Sequence, residues 1–127
     1  MRSKEQSLAR YLAAKFGLFI HWGTYSVAGV EASWPIMAPE LTAAAFGPSR
    51  PILETEYVTL PRRFNPANFD PRAWVRLAWQ AGMRYIVFTA KHHDGFCMFD
   101  APATDYKVTR TPYGRDICAE LAEACTE

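Results

Sequence analysis

A chain of 127 residues, half of them hydrophobic and 14% aromatic, has the size and composition of one folded domain, which excludes a disordered tail. Its formal net charge is +1 with no basic stripe, and no apolar run approaches the roughly 20 residues of a membrane span, so neither nucleic acid nor a membrane is an expected partner. The first residues lack the apolar core and cleavage site of a signal peptide, which leaves the compartment open but favours the cytoplasm.

The first predicted elements are a helix and a short strand. The spacing of one apolar helix face, i, i+3 and i+4, is present at Leu8, Tyr11 and Leu12. The run FGLFIHWG follows, and we interpret Leu18 to Ile20 as a buried strand. His21 and Trp22 then stand at its C-terminal end.

A long connection follows this strand. From Gly23 to about Asn68, repeated prolines leave room only for short helices. A connection this long in a compact domain usually carries function or disorder. Trp34 in EASWPIM argues against pure disorder, and because no core pattern surrounds it, Trp34 is a candidate functional residue.

The clearest helix signal is FDPRAWVRLAWQAG. Asp70 is a good N-cap, Pro71 suits the first helical position, and Gly82 is placed to end the helix in the left-handed conformation. We assign Trp79 to the helix surface. The predicted buried face consists of Trp74, Leu77, Ala78 and Ala81.

A second strand is predicted from Tyr85 to Thr89, apolar on both faces as in parallel sheets covered by helices. KHHDGF stands at its C-terminal end, and helical periodicity restarts at Ile117, Leu121 and Ala124. This order indicates a parallel α/β fold, with which both a doubly wound sheet and a (β/α)8 barrel begin. No glycine-rich phosphate motif follows either strand, which favours the first two β/α units of an incomplete barrel.

The chain has three cysteines without CxxC spacing, which argues against a disulfide framework or a zinc knuckle. We interpret Cys97, Cys118 and Cys125 as small buried hydrophobic residues.

Histidines follow both predicted strands, His21 after the first and His92 and His93 after the second. The C-terminal ends of parallel neighbours meet at one edge of a sheet, so we expect the three imidazoles within side-chain reach. Neutral imidazole offers one donor and one acceptor, which suits hydroxyl groups without presenting a fixed charge. The pattern predicts a sugar or polyol pocket.

Other side chains are expected to complete this pocket. Trp22 and Trp34 offer flat faces for the C–H side of a sugar ring. We expect Asp94 to orient an imidazole by accepting its second N–H.

Two alternatives to a sugar pocket are open. Adjacent strand residues point to opposite faces, so one of His92 and His93 faces the helices as a structural residue in the first alternative. In the second, the histidines and an aspartate bind zinc, although neighbouring residues seldom chelate one ion together. We expect no metal.

Three segments, KFGLFIHWGTYSV, FNPANFDPRAWVRLAWQAGMRYIVFTAKHHDGF and GRDICAELAEAC, resemble the N-terminal part of the alpha-L-fucosidases, family 29 of the glycoside hydrolases. The resemblance runs from about Lys15 to Cys125, and its most specific feature is FGxFIHWG followed by TxKHHDGF. It implies an irregular (β/α)8 barrel followed by a β-sandwich, and retaining hydrolysis that releases fucose from a fucosylated glycan or glycoside. No cofactor is implied.

The resemblance also implies roles for individual residues. In these enzymes the histidine of HWG and both histidines of KHHDGF bind sugar hydroxyls, and a tryptophan after the first strand lies against the fucose. The corresponding residues are His21, His92, His93 and Trp34. Many members have Glu-Trp where this chain has Ser33-Trp34, so one hydroxyl contact is missing unless Glu31 supplies it.

Length is the larger departure, since a (β/α)8 barrel takes about 250 residues. We therefore interpret residues 1–127 as the N-terminal portion of a glycoside hydrolase catalytic domain. Retaining glycosidases need two carboxyl groups roughly 5 Å apart, and in this family both come from later in the chain. Asp94, Asp100 and Asp105 do not match those positions, so no catalytic residue is assigned.

The function predicted is thus the substrate-binding part of an alpha-L-fucosidase, inactive as an isolated chain. The alternatives are a non-catalytic carbohydrate-binding relic and a metal-dependent hydrolase on a similar barrel. Linkage, aglycone specificity and oligomeric state are left open by the sequence.

Overall fold

A computed structural model describes residues 3–46 and 52–126 of the chain, and of residues 42, 43, 45 and 46 it describes the backbone alone. Residues 47–51 of the predicted long connection lie outside the described residues. In chain order the helices and strands are α1 (Lys4–Ala14), β1 (Leu18–Ile20), α2 (Tyr25–Ala28), α3 (Trp34–Met37), α4 (Pro39–Phe46), α5 (Glu54–Tyr57), α6 (Pro71–Gln80), β2 (Ile86–Phe88) and α7 (Ile117–Ala124). Two 3-10 turns are formed by Leu60–Arg63 and Val108–Arg110.

The two strands form a parallel pair. The register sets Leu18 opposite Ile86, Phe19 opposite Val87 and Ile20 opposite Phe88. The predicted α/β order and parallel pairing are therefore confirmed. Strand β2 is one residue shorter at each end than predicted, although Tyr85 and Thr89 still bond to the backbone of Leu18 and Ile20.

Helix α6 begins and ends where local rules place it. The Asp70 carboxylate accepts a hydrogen bond from the Ala73 N–H at 2.9 Å, and Gly82 has a φ of +85°. Trp74 is half-buried and Ala78 is buried, as predicted. The predictions for Leu77 and Ala81 are wrong, because both are exposed, Leu77 by 68%.

The exposure of Leu77 has a visible cause. This side chain lies at an apolar groove of about 290 Å³ between α6 and β1, lined also by Leu18, Ile20, Trp74 and Met83. No residue within 3–46 or 52–126 covers that groove. Helix α6 directs Leu77 toward β1, as its periodicity predicts. Leu77 is nevertheless exposed, because no described residue packs over it.

Two buried clusters form the core. The first joins α7 to the segment after β2 and consists of Phe64, Phe96, Met98, Val108, Tyr113, Ile117 and Leu121. The second lies within the connection after β1 and consists of Tyr25, Val30, Ala32, Ile52, Tyr57 and Leu60. In its described residues the connection thus has a core of its own, built from short helices, which explains how these proline-interrupted stretches fold.

The cysteines differ from the prediction in part. Cys97 is buried, and Cys118 is half-buried with its pKa raised to about 11, chiefly by burial. Cys125 is exposed, so its assignment to the interior is wrong. It is the C-cap residue of α7, one position beyond the last residue of that helix.

Several apolar surfaces face solvent. Helix α1 has no buried residue, and its ring contact to the rest of the chain joins Tyr11 to Tyr85, the residue before β2, at 5.0 Å between centroids. Phe19 and Val87, neighbours on one face of the sheet, are 61% and 38% exposed. As for membranes, the described segments contain no helix long and apolar enough to cross a bilayer.

Candidate functional site

His21 follows β1, and strand alternation decides which way it points. Successive strand residues point to opposite faces, so His21 shares the open face of the sheet with Phe19, and their ring centroids are 4.9 Å apart. Trp22 lies on the other face. There it packs at 5.2 to 6.5 Å against the rings of Phe64, Phe69, Trp74 and Phe88. The prediction that Trp22 offers a face to a sugar is therefore wrong, because this side chain belongs to the core.

His92 and His93 lie on a turn rather than on a strand. The turn is closed by the Gly95 N–H, which donates to the His92 carbonyl at 3.1 Å, and Gly95 takes the φ of +82° that the turn needs. Strand alternation no longer applies there, and the two imidazoles are neighbours with ring centroids 4.8 Å apart. His93 is exposed and contacts Trp34, so the alternative in which one histidine turns away from the other is not observed.

The structure brings the four predicted binding residues together. The ring centroid of His92 lies 5.6 Å from that of His21 and 5.7 Å from that of Trp34. Trp34 also lies 4.9 Å from His93. We call His21, Trp34, His92 and His93 the histidine–tryptophan cluster. His21 and His93 are exposed and the other two are half-buried, so the cluster opens to solvent.

The group that orients His92 is not the predicted one. Ser33 Oγ lies 2.5 Å from His92 Nδ1. The Asp94 carboxylate instead accepts hydrogen bonds from the Tyr57 hydroxyl at 2.7 Å and from the Phe96 N–H at 3.0 Å. The prediction that Asp94 orients an imidazole is therefore wrong, because its two oxygens accept hydrogen bonds from the turn backbone and from the Tyr57 phenol.

Sequence reasoning missed Ser33 and Tyr57 as members of the site. A signal for Ser33 was present, because Ser-Trp stands where the resemblance leads one to expect Glu-Trp, but it indicated a lost contact rather than a new one. For Tyr57 no local signal exists. Its hydroxyl reaches Asp94 from 37 residues away in sequence, which only the folding of the connection brings about.

The electrostatics of the cluster favour neutral imidazole at His92. Burial, and then the charge of His93, lower the pKa of His92, while the carboxylates of Asp94 and Glu31 oppose the shift. Burial, Asp94 and Glu31 together raise the pKa of Tyr25 to about 12. The carboxylate of the exposed Glu31 thus acts in the same direction as that of Asp94 on the pKa of both groups, with the smaller effect on each.

Two buried hydroxyl groups belong to consecutive residues shortly after β1. Thr24 Oγ1 and Tyr25 Oη are buried and have no hydrogen-bond partner among the described residues. Tyr25 supports the cluster directly, since its ring lies 5.9 Å from that of His92.

The remaining aspartates stand apart from the cluster. Asp100 pairs with Lys107 at 2.9 Å and Asp105 with Arg110 at 3.0 Å. Both carboxylates are thus engaged in ion pairs away from the histidines. Within the described ranges, no three His, Cys, Asp or Glu side chains are grouped so that they could hold a metal ion.

Comparison with known proteins gives a consistent result. The model of the family "Alpha-L-fucosidase" matches residues 2–127. The tissue alpha-L-fucosidase of Rattus norvegicus is 36% identical over 117 residues, which are 87% of this chain and 25% of that protein. The chain thus spans about a quarter of the length of this relative.

Solved structures agree in fold and in sequence. An alpha-L-fucosidase of Bacteroides thetaiotaomicron, trapped as a covalent intermediate with 2-fluoro-fucosyl fluoride, matches with a TM-score of 0.77 and 32% identity over 98% of this chain and 28% of that one. The alpha-L-fucosidase AlfC of Lactobacillus casei, in complex with its alpha-L-fucose product, matches with a TM-score of 0.74 and 41% identity over 93% of this chain and 36% of that one.

Proposed function

Because the chain belongs to the alpha-L-fucosidase family, we propose that a protein containing it hydrolyses terminal alpha-L-fucosyl linkages of glycans or glycosides. In this proposal the chain supplies the part of the active site that binds the sugar. The observation that carries it is the convergence of three imidazoles and one indole on a single open cluster. Crystallised relatives hold fucose or a fucosyl derivative, which supports the assignment of the substrate.

Each member of the cluster has a chemical task. His21, His92 and His93 bind sugar hydroxyls, because neutral imidazole both donates and accepts hydrogen bonds. Trp34 lies against the ring and the C6 methyl group of the deoxyhexose, since an indole face suits C–H surface. We assign to Glu31 the hydroxyl contact that Ser33 does not make, and its electrostatic effect on His92 supports this assignment.

The bond-breaking groups lie outside this chain in our proposal. Retaining hydrolysis needs a carboxylate nucleophile and a carboxylic acid roughly 5 Å apart, with a covalent glycosyl-enzyme between the two steps. We place both carboxyl groups on later β/α units. The residues described here bind the fucosyl ring and orient its anomeric carbon, so they contribute to the rate through positioning.

We infer further that β1 and β2 are the first two strands of a (β/α)8 barrel. The face that carries Phe19, Val87 and His21 is the one that would turn toward the barrel axis, where side chains fill the interior in layers. The exposure of the two apolar side chains, 61% and 38%, supports this orientation. The histidine after β1 then lies at the C-terminal rim, where active sites of such barrels are found.

The test uses the complete enzyme that contains this chain and an aryl fucoside as substrate. We expect His92→Ala, His21→Ala and His93→Ala each to lower kcat/KM about 10- to 100-fold, because a sugar hydroxyl then loses its partner. Asp105→Asn, in a surface ion pair, is the matched control and should leave kcat/KM unchanged. Wild-type activity in all three histidine variants would contradict the proposal, as would binding of fucose without any hydrolysis by the wild type.

A further inference from the structure

Ser33 stands at the start of α3, yet its side chain makes no capping bond to that helix. A serine in this position usually accepts a hydrogen bond from a backbone N–H of the first helical turn. Here the hydroxyl turns away and meets Nδ1 of His92, 59 residues later in the chain. The Ser33 side chain therefore hydrogen-bonds to the imidazole of His92 instead of capping α3.

The direction of this hydrogen bond follows from burial. Ser33 is 0% exposed, and Nδ1 is the partner of its hydroxyl among the described residues. If Nδ1–H donated to Oγ, the hydroxyl hydrogen would remain buried without an acceptor, which costs free energy. The hydroxyl therefore donates, Nδ1 accepts, and the single proton of the neutral imidazole resides on Nε2.

The backbone before Ser33 fits this role. Ala32 has a φ of +47°, in the left-handed region that a residue with a Cβ avoids, and it is buried. The turn is closed by the Trp34 N–H, which donates to the Glu31 carbonyl at 3.2 Å. One strained turn thus directs the Ser33 hydroxyl inward and places Trp34 beside the histidines.

We propose that Ser33 is a positioning residue that fixes His92 as a hydrogen-bond donor to the sugar through Nε2–H. The inference rests on the proposed function, because it specifies how one residue of the same site meets its ligand. The substrate atom that faces His92 must then be an oxygen that accepts a hydrogen bond from Nε2–H.

The decisive measurement is the tautomer of His92. The complete enzyme is labelled with ¹⁵N-histidine, and the His92 signals are assigned by their loss in His92→Asn. Without sugar, the wild type should show the proton on Nε2. Ser33→Ala should give a mixture of tautomers, while Ser33→Thr, which keeps the hydroxyl, should restore the wild-type spectrum.

Kinetics give the second measurement. Ser33→Ala should lower kcat/KM for the aryl fucoside about 3- to 10-fold and move the acidic limb of the pH profile to higher pH, since a donor to the neutral ring is lost. Ser33→Thr should show neither effect. A purely structural role would change the melting temperature without moving the pH profile.

Two results would overturn the proposal: a wild-type spectrum with the proton on Nδ1, or a Ser33→Ala spectrum and pH profile identical to those of the wild type. The wild-type spectrum needs no variant to fold. Because the spectrum is recorded without sugar, it tests the direction of the Ser33–His92 hydrogen bond independently of catalysis. Failure of the wild type to hydrolyse fucosides would overturn the proposed function and leave this test intact.

Discussion

The Tyr57 hydroxyl donates a hydrogen bond to Asp94 Oδ2 at 2.7 Å, and this bond ties the connection after β1 to the turn that carries the histidines. Tyr57 is 0% exposed. Burial, and then the bond to Asp94, raise the pKa of Tyr57 far above its ordinary value of 10. The phenol therefore stays protonated at neutral pH, where it acts as the hydrogen-bond donor to Asp94.

Loss of this hydroxyl should destabilise the fold. Tyr57→Phe leaves Asp94 Oδ2 without its donor, so we expect the free energy of unfolding to fall by about 1–3 kcal/mol. Denaturant titration of the complete enzyme measures the change. Tyr11→Phe, which removes a hydroxyl that bonds to Tyr85 at a solvent-exposed position, should change stability much less. Equal stability of the two variants would show that the bond does not hold the turn in place.

The two tryptophans Trp34 and Trp79 provide a matched pair for substrate binding. Trp34→Ala removes the indole beside His92 and His93, so we expect a rise in KM of about 10-fold from the lost ring contact. Trp79 is 64% exposed and lies under Arg84, with the guanidinium 4.1 Å from the ring centroid. Trp79→Ala should leave KM unchanged, and a similar KM in both variants would argue against a sugar face at Trp34.

The lowered pKa of His92 predicts a pH dependence of stability. The unfolded chain has the ordinary value of 6.5 and the folded chain a lower one, so the unfolded state binds a proton first as the pH falls. His92 therefore costs no stability above pH 6.5, and stability decreases as the pH falls from 6.5 to the lowered pKa. The measurement is the free energy of unfolding against pH for the wild type and for His92→Gln, which should lose less stability in this range. Identical slopes would contradict the prediction.

The 127-residue chain should be poorly stable by itself and should release no 4-nitrophenol from the aryl fucoside. The apolar groove beside Leu77 and the open face around Phe19 expose surface to water, and two strands leave unpaired edges. Thermal unfolding and the colour assay test both statements. Turnover by the purified chain would refute the proposal that the carboxyl pair lies on later β/α units.

Local rules predicted the ends of α6 well, because they depend on neighbours in sequence. Asp70 and Gly82 act on backbone groups a few residues away, and the structure confirms both. The same reasoning failed at Leu77, whose burial depends on what covers the helix rather than on the helix itself. The prediction for Trp22 also failed, although strand alternation places that side chain on the face opposite His21.

The amino-acid sequence by itself determined the helices α1, α6 and α7, the two strands with their parallel pairing, and the position of the three histidines after the strands, because periodicity and position at strand ends are properties of neighbouring residues. Only the tertiary structure decided which groups hold those residues in place. Ser33 reaches His92 across 59 residues, and Tyr57 reaches Asp94 across 37. A hydrogen bond of this kind depends on the path of the chain between its partners, and no pattern along the sequence encodes that path.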